Sequence, residues 1–143
     1  RQEQLSQQLW MACRNGSMRL ADLFIRAGAS INVCFNGNGK HEGTALMTAA
    51  AYGHVSVVNL LCDYRAHLDR FKKCTFGSID RECALGMAAE RGHLEVVRLL
   101  VGAGANINAE GLWGSALNHA ARDGHFHVAE YLCQARACIH LDG

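Results

Sequence analysis

Charge imbalance is nearly absent from this chain, with 14 basic residues facing 13 acidic ones across 143 positions. Without a net field there is little to hold a polyanion or an acidic bilayer surface. Nucleic acid and membranes are therefore not the expected partners. Long apolar runs are lacking too, since charge or glycine interrupts each apolar stretch well short of the ~18 residues that span a bilayer, and no cleavable leader opens the chain. A cysteine framework is missing as well: the seven thiols (Cys13, Cys34, Cys62, Cys74, Cys83, Cys133, Cys138) are odd in number and irregularly spaced. Free thiols in a reducing cytoplasm or nucleus fit that pattern better than disulfides. No initiator Met precedes Arg1, which points to a piece of a longer chain, and no proline occurs anywhere. What the chain does have is apolar material, half of its residues, enough to bury a continuous core in one domain.

That material is repetitive. Gly-His occurs at Gly53-His54, Gly92-His93 and Gly124-His125, at intervals of 39 and 32 residues. Ahead of each pair stands one phrase, TALMTAAAYGH from Thr44, CALGMAAERGH from Cys83 and SALNHAARDGH from Ser115, with a weaker copy, QQLWMACRNGS, from Gln7. Behind come MRLADLFI, VSVVNLLC, LEVVRLLV and FHVAEYLC, all with apolar side chains at helical spacing. Each is followed by a version of one loop phrase: RAGASIN, DYRAHLD, GAGANIN and QARACIH. The unit is a short helix, a glycine turn, a second helix and an extended loop, with copies at about 5–36, 44–74, 83–112 and 115–143.

Composition follows from that unit. The pairs Ala49-Ala50, Ala88-Ala89 and Ala120-Ala121 allow neighbouring first helices to approach closely, and Leu46, Leu85 and Leu117 fill the space between copies. Gly53, Gly92 and Gly124 stand where the first helix ends, a place for left-handed backbone angles. One unit cannot bury its own apolar face, so stability depends on stacking against its neighbours.

The phrases TALMTAAAYGHVSVVNLL, CALGMAAERGHLEVVRLLVGAGANIN and SALNHAARDGHFHVAEYL resemble the ankyrin repeat almost position by position, and the resemblance covers roughly the whole chain. It implies an all-α fold, an ankyrin-repeat solenoid of antiparallel helix pairs with hairpin-like finger loops, whose concave side binds protein. The wording GLWGSAL (Gly111 to Leu117) is similar to arrays in large fungal signalling proteins. Departures from the family pattern are specific. Ala45, Ala84 and Ala116 replace the proline at the first helical position, loosening helix entry while keeping helix propensity high. The family's histidine two places on becomes Met47, Gly86 and Asn118, so its capping hydrogen bond is expected to be lost. At the end of the second helix Gly28 and Gly104 are kept, but Arg65 and Arg136 replace glycine, at a cost on the order of 1 kcal/mol each if the backbone angle stays positive. Two fingers are long: residues 32–44 by about four residues and 69–83 by about six, against a repeat of roughly 33. The second carries Phe71, Lys72, Lys73, Phe76 and Ile79, an aromatic and basic mixture costly to expose.

Catalysis finds little to stand on. Gly37-Asn38-Gly39-Lys40 lacks the strand and the Ser/Thr of a phosphate-binding loop. Cys133, Cys138 and His140 match no common zinc spacing: Cys133 shares a column with Ile25, Cys62 and Val101 that packs along the second helix, and the other two fall at loop positions. The resemblance gives His54, His93 and His125 a structural role, bonding backbone between repeats. His119 lies mid-helix and faces either the groove or the next repeat. No cofactor or metal is expected, and no enzyme activity.

The binding surface is the better candidate. The resemblance points the two residues before each turn glycine into the groove: Arg14-Asn15, Ala51-Tyr52, Glu90-Arg91 and Arg122-Asp123. These positions vary while their surroundings repeat, and Tyr52, Arg91 and Arg122 are of the types that carry interface energy. Trp113, at a fingertip, joins them. At the ends, the polar opening RQEQLSQQ suits a cap, whereas Phe126, Val128, Tyr131 and Leu132 call for further repeats or a partner beyond the fourth copy. The expected function is a protein-binding scaffold using the groove and the fingers. The alternative is a substrate- or peptide-recognition arm of a larger enzyme complex such as a ubiquitin ligase.

Overall fold

The computed structural model describes residues 1–34, 43–69, 83–109 and 114–141. Among these residues eight helices follow one another: α1 (Gln2–Asn15), α2 (Met18–Arg26), α3 (Ala45–Ala51), α4 (Val55–Asp63), α5 (Ala84–Glu90), α6 (Leu94–Gly102), α7 (Ala116–Arg122) and α8 (Phe126–Leu141). No strand occurs among the described residues. Turns of two or three residues join the helices of each pair and force the chain to reverse, so the pairs are antiparallel. Neighbouring pairs then stack in two rows, α1, α3, α5 and α7 inside and α2, α4, α6 and α8 outside. The fold is an all-α solenoid, as the repeats imply.

Small side chains set the inner row. Every residue of α3 is buried, and so are all of α5 except Glu90, because alanines let these seven-residue helices lie flank to flank. Leu9, Leu46 and Leu85 fill the gaps between them, and Leu117 is half-buried in the last pair. Outside, Val57, Val58 and Leu61 of α4 and Val96, Val97 and Leu100 of α6 are fully covered. Their counterpart Leu20 in α2 stays 48% exposed, since a described pair flanks α2 on one side only.

The Gly-His motif is a single device at the repeat boundary. Gly53 and Gly92 take φ of 73° and 74°, and the next pair's imidazole lies on each of them. A Cβ on Gly53 would stand 2.7 Å from His93 Nδ1, and one on Gly92 2.5 Å from His125 Nδ1, so glycine is required by space as well as by φ. Each ring then donates from Nε2 to a carbonyl at the end of the preceding inner helix: His54 to Arg14 at 2.9 Å, His93 to Ala51 at 3.0 Å and His125 to Glu90 at 2.8 Å. A carbonyl only accepts, which places the proton on Nε2. A second ladder ties the bases of the loops together: Ser30 N–H donates to Ser6 Oγ, His67 N–H to Asn32 Oδ1 and Asn106 N–H to Asp69 Oδ1.

Three expectations change. Arg65 does adopt a positive φ of 60°, beside 106° at Gly28 and 103° at Gly104. Arg136 does not: it lies inside α8, which runs straight through QARACIH where the other copies turn out into a loop. The segment there is rich in Ala, Gln and Arg, which favour helix, and it continues as helix. Cys138 and His140 accordingly fall on helical backbone, not in a loop. Helix entry in the second pair also keeps a cap, because Thr44 Oγ1 accepts from Met47 N–H at 3.2 Å. Most of both long fingers, at 35–42 and 70–82, lies outside the described residues.

Candidate binding groove

Stacking of the inner helices carries the residues that precede each turn to one edge of the molecule. Arg14 and Asn15 end α1, Tyr52 and Arg91 follow α3 and α5, and Arg122 and Asp123 close α7. Arg14, Asn15, Arg91, Arg122 and Asp123 are exposed, while Tyr52 and Glu90 are half-buried. Ala51 is buried beneath this edge and presents nothing, because its carbonyl is covered by Arg91 Nη1 at 3.5 Å and by His93.

These side chains are held by one another across repeats. The Arg91 guanidinium sits 5.8 Å over the Tyr52 ring, and that ring stacks on His54 with centroids 6.0 Å apart and planes inclined by 14°. Two successive turns, α3–α4 and α5–α6, thus meet in one column of cation, phenol and imidazole. At the N-terminal side Arg14 sits 5.9 Å over Trp10. At the other, Arg122 Nη2 lies 3.3 Å from His119 Nδ1, and its Nε 3.9 Å from Asp123 Oδ1. His119 is itself buried, against the backbone at Gly86, so it faces the preceding pair and steers Arg122 from below.

Trp10 was not singled out by the repeat pattern, although the signal was there: it occupies the column of Met47, Gly86 and Asn118, four residues before Arg14 on one helix face. Trp113, Phe71, Lys72, Lys73 and Phe76 lie outside the described residues. Cys133 is exposed, contrary to its expected packing, because α8 has a described neighbour on one flank only. Among the described residues no three His, Cys, Asp or Glu side chains converge as a metal site would require. Nor is any helix there long and apolar enough to cross a membrane.

Comparison with known proteins agrees with this geometry. A family model described as ankyrin repeats (3 copies) matches residues 7–72 and 68–142. The chain is 34% identical over 107 residues to "Probable E3 ubiquitin-protein ligase XBOS33" of Oryza sativa subsp. japonica, covering 71% of this chain and 20% of that protein. It is 34% identical over 116 residues to "Ankyrin repeat domain-containing protein SAT10" of Stachybotrys chartarum, covering 81% and 6%. It is 36% identical over 105 residues to "Ankyrin repeat and KH domain-containing protein mask-1" of Caenorhabditis elegans, covering 73% and 4%. The matched segment is thus a fifth or less of each of these relatives. With four stacked helix pairs, the Gly-His device at each boundary and a family match along nearly its whole length, the chain belongs to the ankyrin repeat family, whose repeats mediate protein–protein interaction.

Proposed function

We propose that this chain is a scaffold module that recruits a partner protein along the edge formed by Arg14, Asn15, Tyr52, Glu90, Arg91, Arg122 and Asp123, with Trp113 and the finger residues Phe71, Lys72, Lys73 and Phe76 as further contacts. The observation that carries this is the Arg91–Tyr52–His54 column. Tyrosine and arginine are the side chains that most often dominate binding energy, and a stack already built in the unbound protein loses less side-chain freedom on association. No residue here is assigned a catalytic role.

The test is a pair of substitutions, Tyr52→Ala and Arg91→Ala, introduced together. Proteins captured by the wild-type chain are purified and titrated against the variant, with helicity followed by circular dichroism. Affinity is expected to fall by about a hundredfold, in line with loss of two central contacts, while helicity is unchanged. Unaltered affinity removes this edge from the interface. A second reading, a recognition arm within a ubiquitin-ligase complex, is favoured by the ligase name of a rice relative. It requires tight binding to a short free peptide end, so screening immobilised peptides beside intact proteins separates the two.

A further inference from the structure

Exposed apolar side chains gather on one flank of the first helix pair. Met11 of α1 is 49% exposed, and Leu20 and Leu23 of α2 are 48% and 58% exposed. Clusters of this kind mark interaction surfaces, and the repeat register identifies this one. Met11 stands in the column of Thr48, Met87 and His119, and Leu20 in the column of Val57, Val96 and Val128, all of them buried. His119 and Val128 are covered although the last pair has a described neighbour only in the third, so these two columns face the preceding pair. The opposite flank behaves conversely. Ala121 stands in the column of Cys13, Ala50 and Ala89, which are fully buried, and Cys133 in the column of Ile25, Cys62 and Val101, which pack against the core. Both are exposed in the last pair, so their columns face the following one. One molecule thus presents both halves of the contact by which its own pairs stack, large apolar side chains at one end and small ones at the other.

We infer that copies of this chain associate head to tail, the flank of α7 and α8 in one copy covering the flank of α1 and α2 in the next. The contact continues the packing already made by α2 on α4, α4 on α6 and α6 on α8. Its geometry and its occupant are therefore both present in the molecule, and neither depends on the groove edge being a binding surface. Because unlike faces meet, each added copy leaves one of each face open, and growth is linear unless the rotation closes a ring. Two residues make this boundary weaker than those inside the chain. Ser17 stands in the column of His54, His93 and His125, so the imidazole bond to the preceding carbonyl is not repeated between copies. Gln8 stands in the column of the buried Ala45, Ala84 and Ala116, which holds the inner helices of two copies further apart. The outer contact at Leu20 and Leu23 then carries the association, which is reversible and concentration-dependent.

Sedimentation velocity of the purified chain is the first measurement, made in reducing buffer so that disulfides between exposed thiols do not contribute. Weight-average mass is expected to rise at least about twofold between about 5 µM and about 1 mM. Two variants, altered only at exposed positions, then assign the faces. Leu20→Asp with Leu23→Asp closes one face, and Ala121→Arg with Cys133→Arg closes the other. Each alone is expected to stay monomeric, whereas an equimolar mixture forms a heterodimer that grows no further, since each variant contributes its intact face. Circular dichroism verifies the fold, and Leu20→Gln with Leu23→Gln replaces the first variant should the aspartates reduce helicity. A wild-type chain that stays monomeric throughout would overturn the proposal, as would variants that fail to pair when mixed. Association that survives the arginine variant but not the aspartate one would also overturn it, because α2 would then be pairing with its own copy about a twofold axis.

Discussion

Arg65 is held at φ 60° in a column where glycine stands at 106° and 103° in other repeats. A side chain there costs on the order of 1 kcal/mol, and Arg65 is exposed, so no packing offsets it. Arg65→Gly is therefore expected to raise stability by up to about 1 kcal/mol, less the extra chain entropy of glycine, read as a higher urea midpoint. The turn glycines give the opposite case, with an internal control. Gly92 and Gly124 have nearly the same φ, 74° and 77°, but a Cβ on Gly92 meets the His125 ring whereas one on Gly124 has nothing within 4 Å. Gly124→Ala is expected to cost only backbone strain. Gly92→Ala adds overpacking of about 1–3 kcal/mol, and equal losses at the two sites would contradict the role assigned to the ring.

At the scale of the helix, burial sorts the thiols. Cys13 lies on the inward face of α1, and desolvation pushes its pKa from 9.0 to about 12. Cys83, at the entry to α5, and Cys62, half-buried in α4, are also raised by burial, while Cys34 and Cys133 are exposed. Because the thiolate is the reacting species, iodoacetamide at neutral pH should modify Cys34 and Cys133 first, Cys62 later and Cys13 and Cys83 only on unfolding, as peptide mapping over time would show. Rapid labelling of Cys13 would place α1 differently. The same shift has a sign for stability. The unfolded Cys13 thiol loses its proton near 9.0, before the folded one near 12, so its contribution is complete below pH 9 and declines as pH rises between the two values. Element boundaries behave alike: α4 and α6 stop where Arg65 and Gly104 turn the chain, and α8 runs on because the local composition of 134–138 favours helix over turn.

Across the whole molecule each helix pair leans on its neighbours, so a cavity in the middle is felt on both sides. Leu85 of α5 is 2% exposed and lies between α3 and α7. Leu85→Ala should cost about 2–5 kcal/mol and lower the cooperativity of unfolding by separating the stack into halves, which tryptophan fluorescence and far-ultraviolet circular dichroism followed side by side in urea would detect. Coincident transitions with an unchanged midpoint would refute that. Much of this architecture was legible in the residues alone, since helix, glycine turn and helix repeat with small side chains at fixed columns, and local periodicity encodes them directly. The Arg and Tyr positions of the proposed groove edge stand out for the same reason, as variable residues in a constant frame. Trp10 under Arg14, the exposure of Cys133 and the neighbour that His119 faces were not, because each depends on which pair lies alongside and which flank has none. By itself the sequence determined the repeat, its turns and its apolar faces, all of which are written within about 33 residues of chain. Only the tertiary structure decided that Tyr52, His54 and Arg91 form one column, because that contact joins residues up to 39 apart and exists only once the repeats have stacked.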